Sequence, residues 1–587
     1  MTLRASPAAL LSVLAAVSAA GYGWLAQMRP ANGAVPVTLF LAVMAALFAL
    51  HAWASLIVSK AAGAADGRRL LGVVWIGAIL FRLMLLPAGV SPAAAGSLQG
   101  RFEALRADVT GSAVTFDRFL LFDNDIWRYV WEGHVWAHGG NPFVTAPAHP
   151  ALDRMADVDD PMSDGIPVWA DIREQVSYSD VPTVYPPLAQ ATFRLAHAVA
   201  PGSVLVMKAI VVAADLLGVW FLALALRRFG RPPALVALYA WNPLAIKVFA
   251  GSGHIDAVTI LMLCVLLWVM PRWRWLASVS FALAILVKLT PAILLPLVGR
   301  RIGWRATMFS LAVVLAGCLP FAGAGGRGLD GIRVYATEWR FNAGPFEAIR
   351  WMLAHAGATT DAWARTVCAG IVLSVVAAVA WHDDGRSETF AAAAAITLGV
   401  LVMFSPAVMP WYVTPVLPFA VLSGQRLWVV WSALVGLAFL VMVDGIERPY
   451  VLMIEYGLLA AAAVRLMPRR ALAIAVLAAL AVVAVAPSAA LAQGSGSLGS
   501  GAGAFTVTQS VSGSIAEVTA DPRTIVVQDK KDKRHTFRID DKTTLARDRK
   551  GGKDRLEFSD LRDGLPVKVT FRPKEGVATD VRVQREE

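Results

Sequence analysis

What most constrains this chain is a run of about 20 mostly apolar residues, the length that crosses a bilayer as a helix, repeated from one end to the other. Lipid cannot satisfy backbone N–H and C=O groups, so such runs must form helices or a closed barrel. At this length they read as helices. The candidate spans are 8–28, 36–59, 70–89, 203–226, 235–250, 255–270, 306–321, 362–381, 389–406, 409–423, 427–443, 449–465 and 471–487. The expected fold is an α-helical polytopic membrane protein of about 13–15 spans, followed by a small C-terminal all-β domain. Composition agrees: 57% of the 587 residues are hydrophobic and only 16% charged, far too little charge for a soluble chain of this size.

The net charge of +11 does not point to nucleic acid, because the basic residues are not gathered on one face. They fill short loops: Lys60, Arg68 and Arg69; Arg227, Arg228 and Arg231; Arg272 and Arg274; Arg300, Arg301 and Arg305; Arg469 and Arg470. That is the positive-inside pattern and marks those loops as cytoplasmic. The partner it implies is the lipid bilayer. Cys264, Cys318 and Cys368 all lie in apolar runs, with neither a disulfide framework nor metal-ligand spacing.

With Arg68 and Arg69 inside, the run 70–89 exits and residues 90–202 form a large extracytoplasmic loop. Long loops more often carry function than short connectors do. Residues 125–138 and 187–200 read as amphipathic helices, the first rich in tryptophan, which favours the headgroup level. The run 276–298 poses a conflict, since a single span there would put Arg300, Arg301 and Arg305 outside. Lys288-Leu-Thr-Pro291 interrupts it, and proline breaks helices. A broken hairpin of two half-helices meeting near Lys288 resolves the conflict, and such breaks are tolerated where they line a cavity.

Past residue 466 the anatomy changes. Met467-Pro-Arg-Arg470, an apolar stretch and Ala490-Leu-Ala492 have the layout of a secretory signal peptide placed inside the chain. Residues 493–504 are a Gly/Ser linker, and its Gly494-Ser-Gly-Ser-Leu-Gly499 lacks the strand–turn–helix context that gives G-x-G-x-x-G its meaning. Residues 505–587 alternate apolar and polar in short runs, predicting a small antiparallel barrel or sandwich outside the cytoplasm. The expected organisation is thus 1–69 extra helices, 70–466 a catalytic membrane domain, 467–492 a last span, then linker and β domain.

The strongest chemical constellation is Asp123-Asn124-Asp125-Ile-Trp-Arg128-Tyr129-Val-Trp131-Glu132-Gly133. A carboxylate there could act as a general base toward a sugar hydroxyl, although aspartate at a helix start also serves as a cap. Lys288, deep in an apolar run, is costly to bury and so a functional candidate, or else it snorkels to the interface. His254 and Asp256 fall in a short loop on the same outer side, and no spacing enforces a metal there, so neither metal nor other cofactor is expected.

The segment Asp125–Gly133, followed by Gly140-Asn-Pro-Phe143, resembles the first-loop signature of GT-C glycosyltransferases, with the bacterial mannosyltransferase-like proteins of glycosyltransferase family 87 as the nearest subgroup. The resemblance extends through Thr183-Val-Tyr-Pro-Pro-Leu-Ala-Gln190, Trp241-Asn-Pro-Leu244, Gly253-His-Ile-Asp256, Lys288-Leu-Thr-Pro291, Trp339-Arg-Phe-Asn342 and Pro410-Trp-Tyr412, covering roughly 70–465. It implies a membrane enzyme that moves a hexose, mannose by family weight, from a polyprenyl-phosphate-linked donor. The acceptor would be an extracytoplasmic glycan, glycolipid or protein, and the enzyme would sit in a bacterial inner membrane. An acid of the first outer loop is the base in that superfamily, which here means Asp125 or Asp123, because Asn124 stands where the first of the paired acids is expected. The same carry-over places Arg128, Tyr129, Glu132, Tyr185, Gln190, His254, Asp256, Lys288, Arg340, Asn342, Trp411 and Tyr412 at the substrate, with Arg333 a further candidate for phosphate. The C-terminal module resembles small OB-like periplasmic domains. The competing class is a polytopic transporter or lipid-linked sugar flippase, which many spans and broken helices would also suit.

Overall fold

The computed structural model describes residues 6–28, 37–61, 67–89, 120–156, 168–355, 361–442 and 448–466, and in the C-terminal region 509–520, 523–529, 534–539, 543–549, 552–572 and 577–583. The span expected at 471–487, its signal-like end and the linker lie outside the described residues. The chain divides into two compact units, Met1–Gly496 and Ser497–Glu587.

The first unit is helical. Among the described residues six helices are long and apolar enough to cross a membrane, seven if the pair Pro233–Ala240 and Pro243–Gly251, bent by 60°, counts as one. We label α1 Pro7–Leu25, α2 Val37–Ala61, α3 Gly67–Leu85, α4 Asp125–Ala137, α5 Pro187–Val199, α6 Val204–Arg228, α7 Asp256–Val269, α8 Arg274–Val287 and α9 Leu295–Ile302. Local chemistry sets the starts: the Ser6 hydroxyl accepts from Ala9 N ahead of Pro7, and Ser203 accepts from Val206 N at 3.0 Å. The side chains facing outward are apolar, with Ile76 67%, Leu315 70% and Met453 75% exposed. Hydrocarbon solvates such groups and water would not.

Charge is kept inside. Arg82 of α3 meets Asp215 of α6 at 2.6 Å, both fully buried, and Tyr239 donates to the second Asp215 oxygen at 2.5 Å. Arg82 also donates to the Ala78 and Ala240 carbonyls. These bonds offset part of the desolvation cost of the buried pair, although Arg82 Nη2 has no hydrogen-bond partner among the described residues.

Several expected spans are corrected. The run 235–250 breaks at Trp241–Asn242, where Asn242 caps a new turn and Pro243 follows. The run 255–270 yields only α7, 14 residues or about 21 Å, short of the ~30 Å of hydrocarbon. The run 409–423 opens as a tight 3-10 segment, Pro410–Val416, because three prolines fall within nine residues of its start. The break near Lys288 is as expected: α8 ends at Val287, Lys288 is extended, and a 3-10 turn leads into α9, which packs against α8. The helix at 125–138 is the clearest correction. It reads as interfacial from its tryptophans, yet every residue from Ile126 to Val135 is buried in protein, with Trp127 and Trp131 among the most enclosed.

Helix direction sorts the loops into two ends. Arg228 lies over Trp273 at 5.3 Å, Arg231 approaches Gly424, and Arg301 pairs with Asp383 at 2.7 Å. At the opposite ends of α7 and α8, Asp256 and Lys288 form an ion pair.

The second unit is a seven-stranded sheet: β1 Gln509–Ala520, β2 Arg523–Asp529, β3 Arg534–Arg538, β4 Thr544–Arg549, β5 Gly552–Arg555, β6 Pro566–Arg572 and β7 Val577–Val583, in the order β3-β2-β1-β6-β7-β4-β5. Pairing is antiparallel except for β4–β7 and a single parallel bridge, Arg538 to Val577, that joins β3 to β7 and closes five strands on themselves. Ile515, Ile525, Val527, Phe537, Val567, Val569 and Val581 fill its core.

Candidate active site

The approach to the site is built from unusual backbone. Leu121 and Phe122 take φ of 53° and 71°, a region that non-glycine residues rarely occupy and that costs about 1–3 kcal/mol each. The turn delivers Asp123 and Asp125 at the head of α4. Facing it, Gly253 has φ of 75°, and a Cβ there would stand 2.6 Å from Ile126. Only glycine lets the His254 loop come this close. Ser252 ties the two segments by donating to the Leu120 carbonyl at 3.3 Å.

His254 is the centre of the arrangement. Its Nε2 donates in a short hydrogen bond to Asp123, while its Nδ1 faces Asp125 Oδ2 at 3.6 Å. The imidazole stacks on Trp411 at 3.9 Å between centroids and is almost wholly buried. Lys247 places its Nζ 3.6 Å from Asp123 and 4.2 Å from the Phe439 ring centroid. Lys247 opens a turn of π-helix, Lys247–Gly251, a geometry that recurs at functional sites.

The two acids differ. Burial pushes Asp123 up, but His254 and Lys247 outweigh it and hold that carboxyl below its ordinary range. Burial raises Asp125 to about 6, with Asp123 adding to the rise and His254 and Tyr185 opposing it. The Asp125 side chain is 25% exposed against 2% for Asp123, and Tyr185 donates to its Oδ2 at 3.2 Å. Asp125 is thus the open carboxylate of the pair and Asp123 the enclosed one.

The neighbouring cluster carries a second charge pair. Lys288 binds Asp256 and lies over the Tyr412 ring at 4.3 Å, and Tyr412 meets the Tyr335 hydroxyl at 3.1 Å. Trp411 joins the two clusters, touching His254 on one side and Tyr412 edge-on.

Other residues expected at the substrate are used within the protein. Arg128 donates to Glu132 Oε1 at 3.0 Å and to the carbonyls of Ser177, Tyr178 and Val181. Glu132 also accepts from Thr183 at 2.7 Å and Gln190 at 2.6 Å. Arg128, Glu132 and Gln190 thus clamp α4 to the loop and to α5. Tyr129 stacks on Phe193 at 4.5 Å and fixes Tyr185 edge-on. Arg340 is paired with Glu347 and Asp361, and Arg333 with Asp330. Asn342 is buried against Glu455 at 2.9 Å. These last three lie outside the His254 cluster.

Sequence reasoning missed Lys247 and Tyr335. Lys247 carries a usable signal, an ionisable residue inside an apolar run. Tyr335 carries none. Asp123, Asp125 and His254 offer two oxygens and a nitrogen within 4.8 Å of one another, as a cation site would. The Lys247 ammonium also faces this group, 3.6 Å from Asp123.

Fold and site together define a multi-pass membrane protein whose polar centre pairs a partly exposed carboxylate with a fixed imidazole and two ammonium groups. Residues 118–303 match the family model described as alpha-(1->6)-mannopyranosyltransferase, N-terminal domain, which supports mannosyl transfer and an enzyme of the glycosyltransferase class. No curated protein and no solved structure matches the chain.

Proposed function

We propose that the protein transfers a mannosyl group from a polyprenyl-phosphate donor to a hydroxyl of an extracytoplasmic glycan or glycolipid, inverting the anomeric centre, in a bacterial inner membrane. The observation that carries this reading is the unequal pair Asp125 and Asp123, joined through His254. Asp125 is the base. Its Oδ2 takes the proton of the acceptor hydroxyl as the hydroxyl oxygen attacks the anomeric carbon and the C1–O bond to phosphate breaks. The proton on Asp125 faces His254 Nδ1, whose opposite nitrogen is held by ionised Asp123, so the imidazole orients the base and can accept from it, as in other oriented acid–base relays. Polyprenyl phosphate leaves with its negative charge and needs a cation rather than a proton. Lys288, 21% exposed, is the group suited to meet it. Tyr185, Trp411 and Tyr412 supply aromatic walls for the sugar. Attack on a β-linked mannosyl phosphate gives an α product, in keeping with the α-(1->6) linkage in the family description. The basic loops would lie in the cytoplasm and the carboxylates outside, with the β unit outside as well. Its closed five-strand ring supports an OB-like reading.

The test is transfer of labelled mannose from polyprenyl-phosphate mannose in proteoliposomes. Asp125→Asn should lose about 10²–10⁴ in rate, the usual worth of a general base. Full activity in Asp125→Asn would exclude the proposed base, and movement of the intact donor across the bilayer without transfer would favour a flippase.

A further inference from the structure

Away from the carboxylates, α4 and α5 bring three histidines together. His134 lies in the last turn of α4 and His138, four residues on, caps its C-terminus, while His197 lies in the last turn of α5. Ring centroids are 4.3 Å apart for His134–His138, 5.3 Å for His134–His197 and 5.8 Å for His138–His197. One nitrogen from each falls within 4.8 Å of the other two.

Two of the rings have a defined tautomer. His134 Nε2 lies 2.9 Å from the Met155 carbonyl and His138 Nδ1 lies 2.9 Å from the His134 carbonyl. A carbonyl only accepts, so each of these nitrogens carries a proton, and in the neutral ring the other nitrogen offers its lone pair. The His134 lone pair is on Nδ1, which is buried and makes no hydrogen bond. Histidines that bind metals characteristically donate their other N–H to a carbonyl or carboxylate in this way, which fixes the ring and leaves a ligand nitrogen facing the ion. Trp169 stacks on His134 at 3.6 Å and 16°, holding the ring in place. His138 is exposed, so an ion can enter from solvent.

We infer that His134, His138 and His197 form a binding site for a borderline divalent cation, with Zn2+ the natural occupant of three neutral imidazoles and an open fourth position. The ion would pin α4 to α5 where the two helices already touch most closely. There a Cβ on Gly133 would stand 2.4 Å from the Phe193 carbonyl oxygen. Since α4 begins at Asp125, the ion would steady the scaffold of the acid pair without touching it. The inference stands on the histidines alone and does not depend on the sugar-transfer reading.

The test uses the full-length protein in detergent, stripped with a chelator and titrated with Zn2+ against a chromophoric competitor, with bound zinc measured by mass spectrometry. The wild type should hold stoichiometric Zn2+, take up Co2+ with the visible spectrum of a tetrahedral nitrogen site, and gain thermal stability with Zn2+. His138→Ala and His197→Ala should each weaken Zn2+ at least about tenfold and lose the stabilisation, whereas His355→Ala, a histidine elsewhere on the surface, should change neither. Failure of the wild type to bind stoichiometric Zn2+, or unchanged affinity in either of the first two variants, would overturn the inference.

Discussion

Tyr185→Phe removes one oxygen and, with it, the hydrogen bond that reaches Asp125 Oδ2 at 3.2 Å. A hydrogen bond to a charged acceptor contributes about 1.5–3 kcal/mol when well formed. This one is long for O–H···O, and the carboxylate is 25% exposed, so water can replace part of it. Taking half of that range gives roughly 0.75–1.5 kcal/mol, or about 0.5–1 pKa unit. The bond favours the ionised form, so its loss raises Asp125 from about 6 to roughly 6.5–7. A base must be deprotonated, hence the acidic limb of the rate profile moves to higher pH. At pH 6 the ionised fraction falls from about one half to between one quarter and one tenth, a loss of about two- to fivefold in rate, while above pH 8 the variant should equal wild type. The assay is single-turnover mannosyl transfer in proteoliposomes from pH 5 to 9. A uniform loss at every pH with the limb still near 6 would refute the reasoning, since it would make Tyr185 a sugar contact without influence on the base.

Two further outcomes test the scaffold. Arg82→Met leaves Asp215 buried without its partner and should cost about 3–5 kcal/mol, whereas Arg82→Met with Asp215→Leu should recover most of it; thermal unfolding in detergent reads both, and single-variant stability equal to wild type would contradict the pairing. Gly133→Ala must push Phe193 and α5 away from α4, because the obstacle is a backbone oxygen. It should cost about 1–3 kcal/mol and slow transfer, measured on the same preparations.

The break at Lys288 was legible before any coordinates, because proline and an ionisable residue in one apolar run leave few alternatives. The burial of α4 was not. Its tryptophans suit a headgroup layer or a protein interior equally well, and only the packing of α5 and the loop carbonyls onto Arg128 decides between them. The same holds for Glu132 and Gln190, residue types suited to a sugar and engaged instead with each other.

Apolar run length and the placement of arginines determined, by themselves, that the chain is a bundle of membrane helices with one large polar insertion, and period-two alternation marked a separate β unit, because these patterns follow from transfer energies that act locally along the chain. Which acid is open and which enclosed was decided only by tertiary structure. Asp123 and Asp125 are two residues apart and chemically alike, and they differ because His254 and Lys247, more than 120 positions further on, converge on one of them and leave the other open.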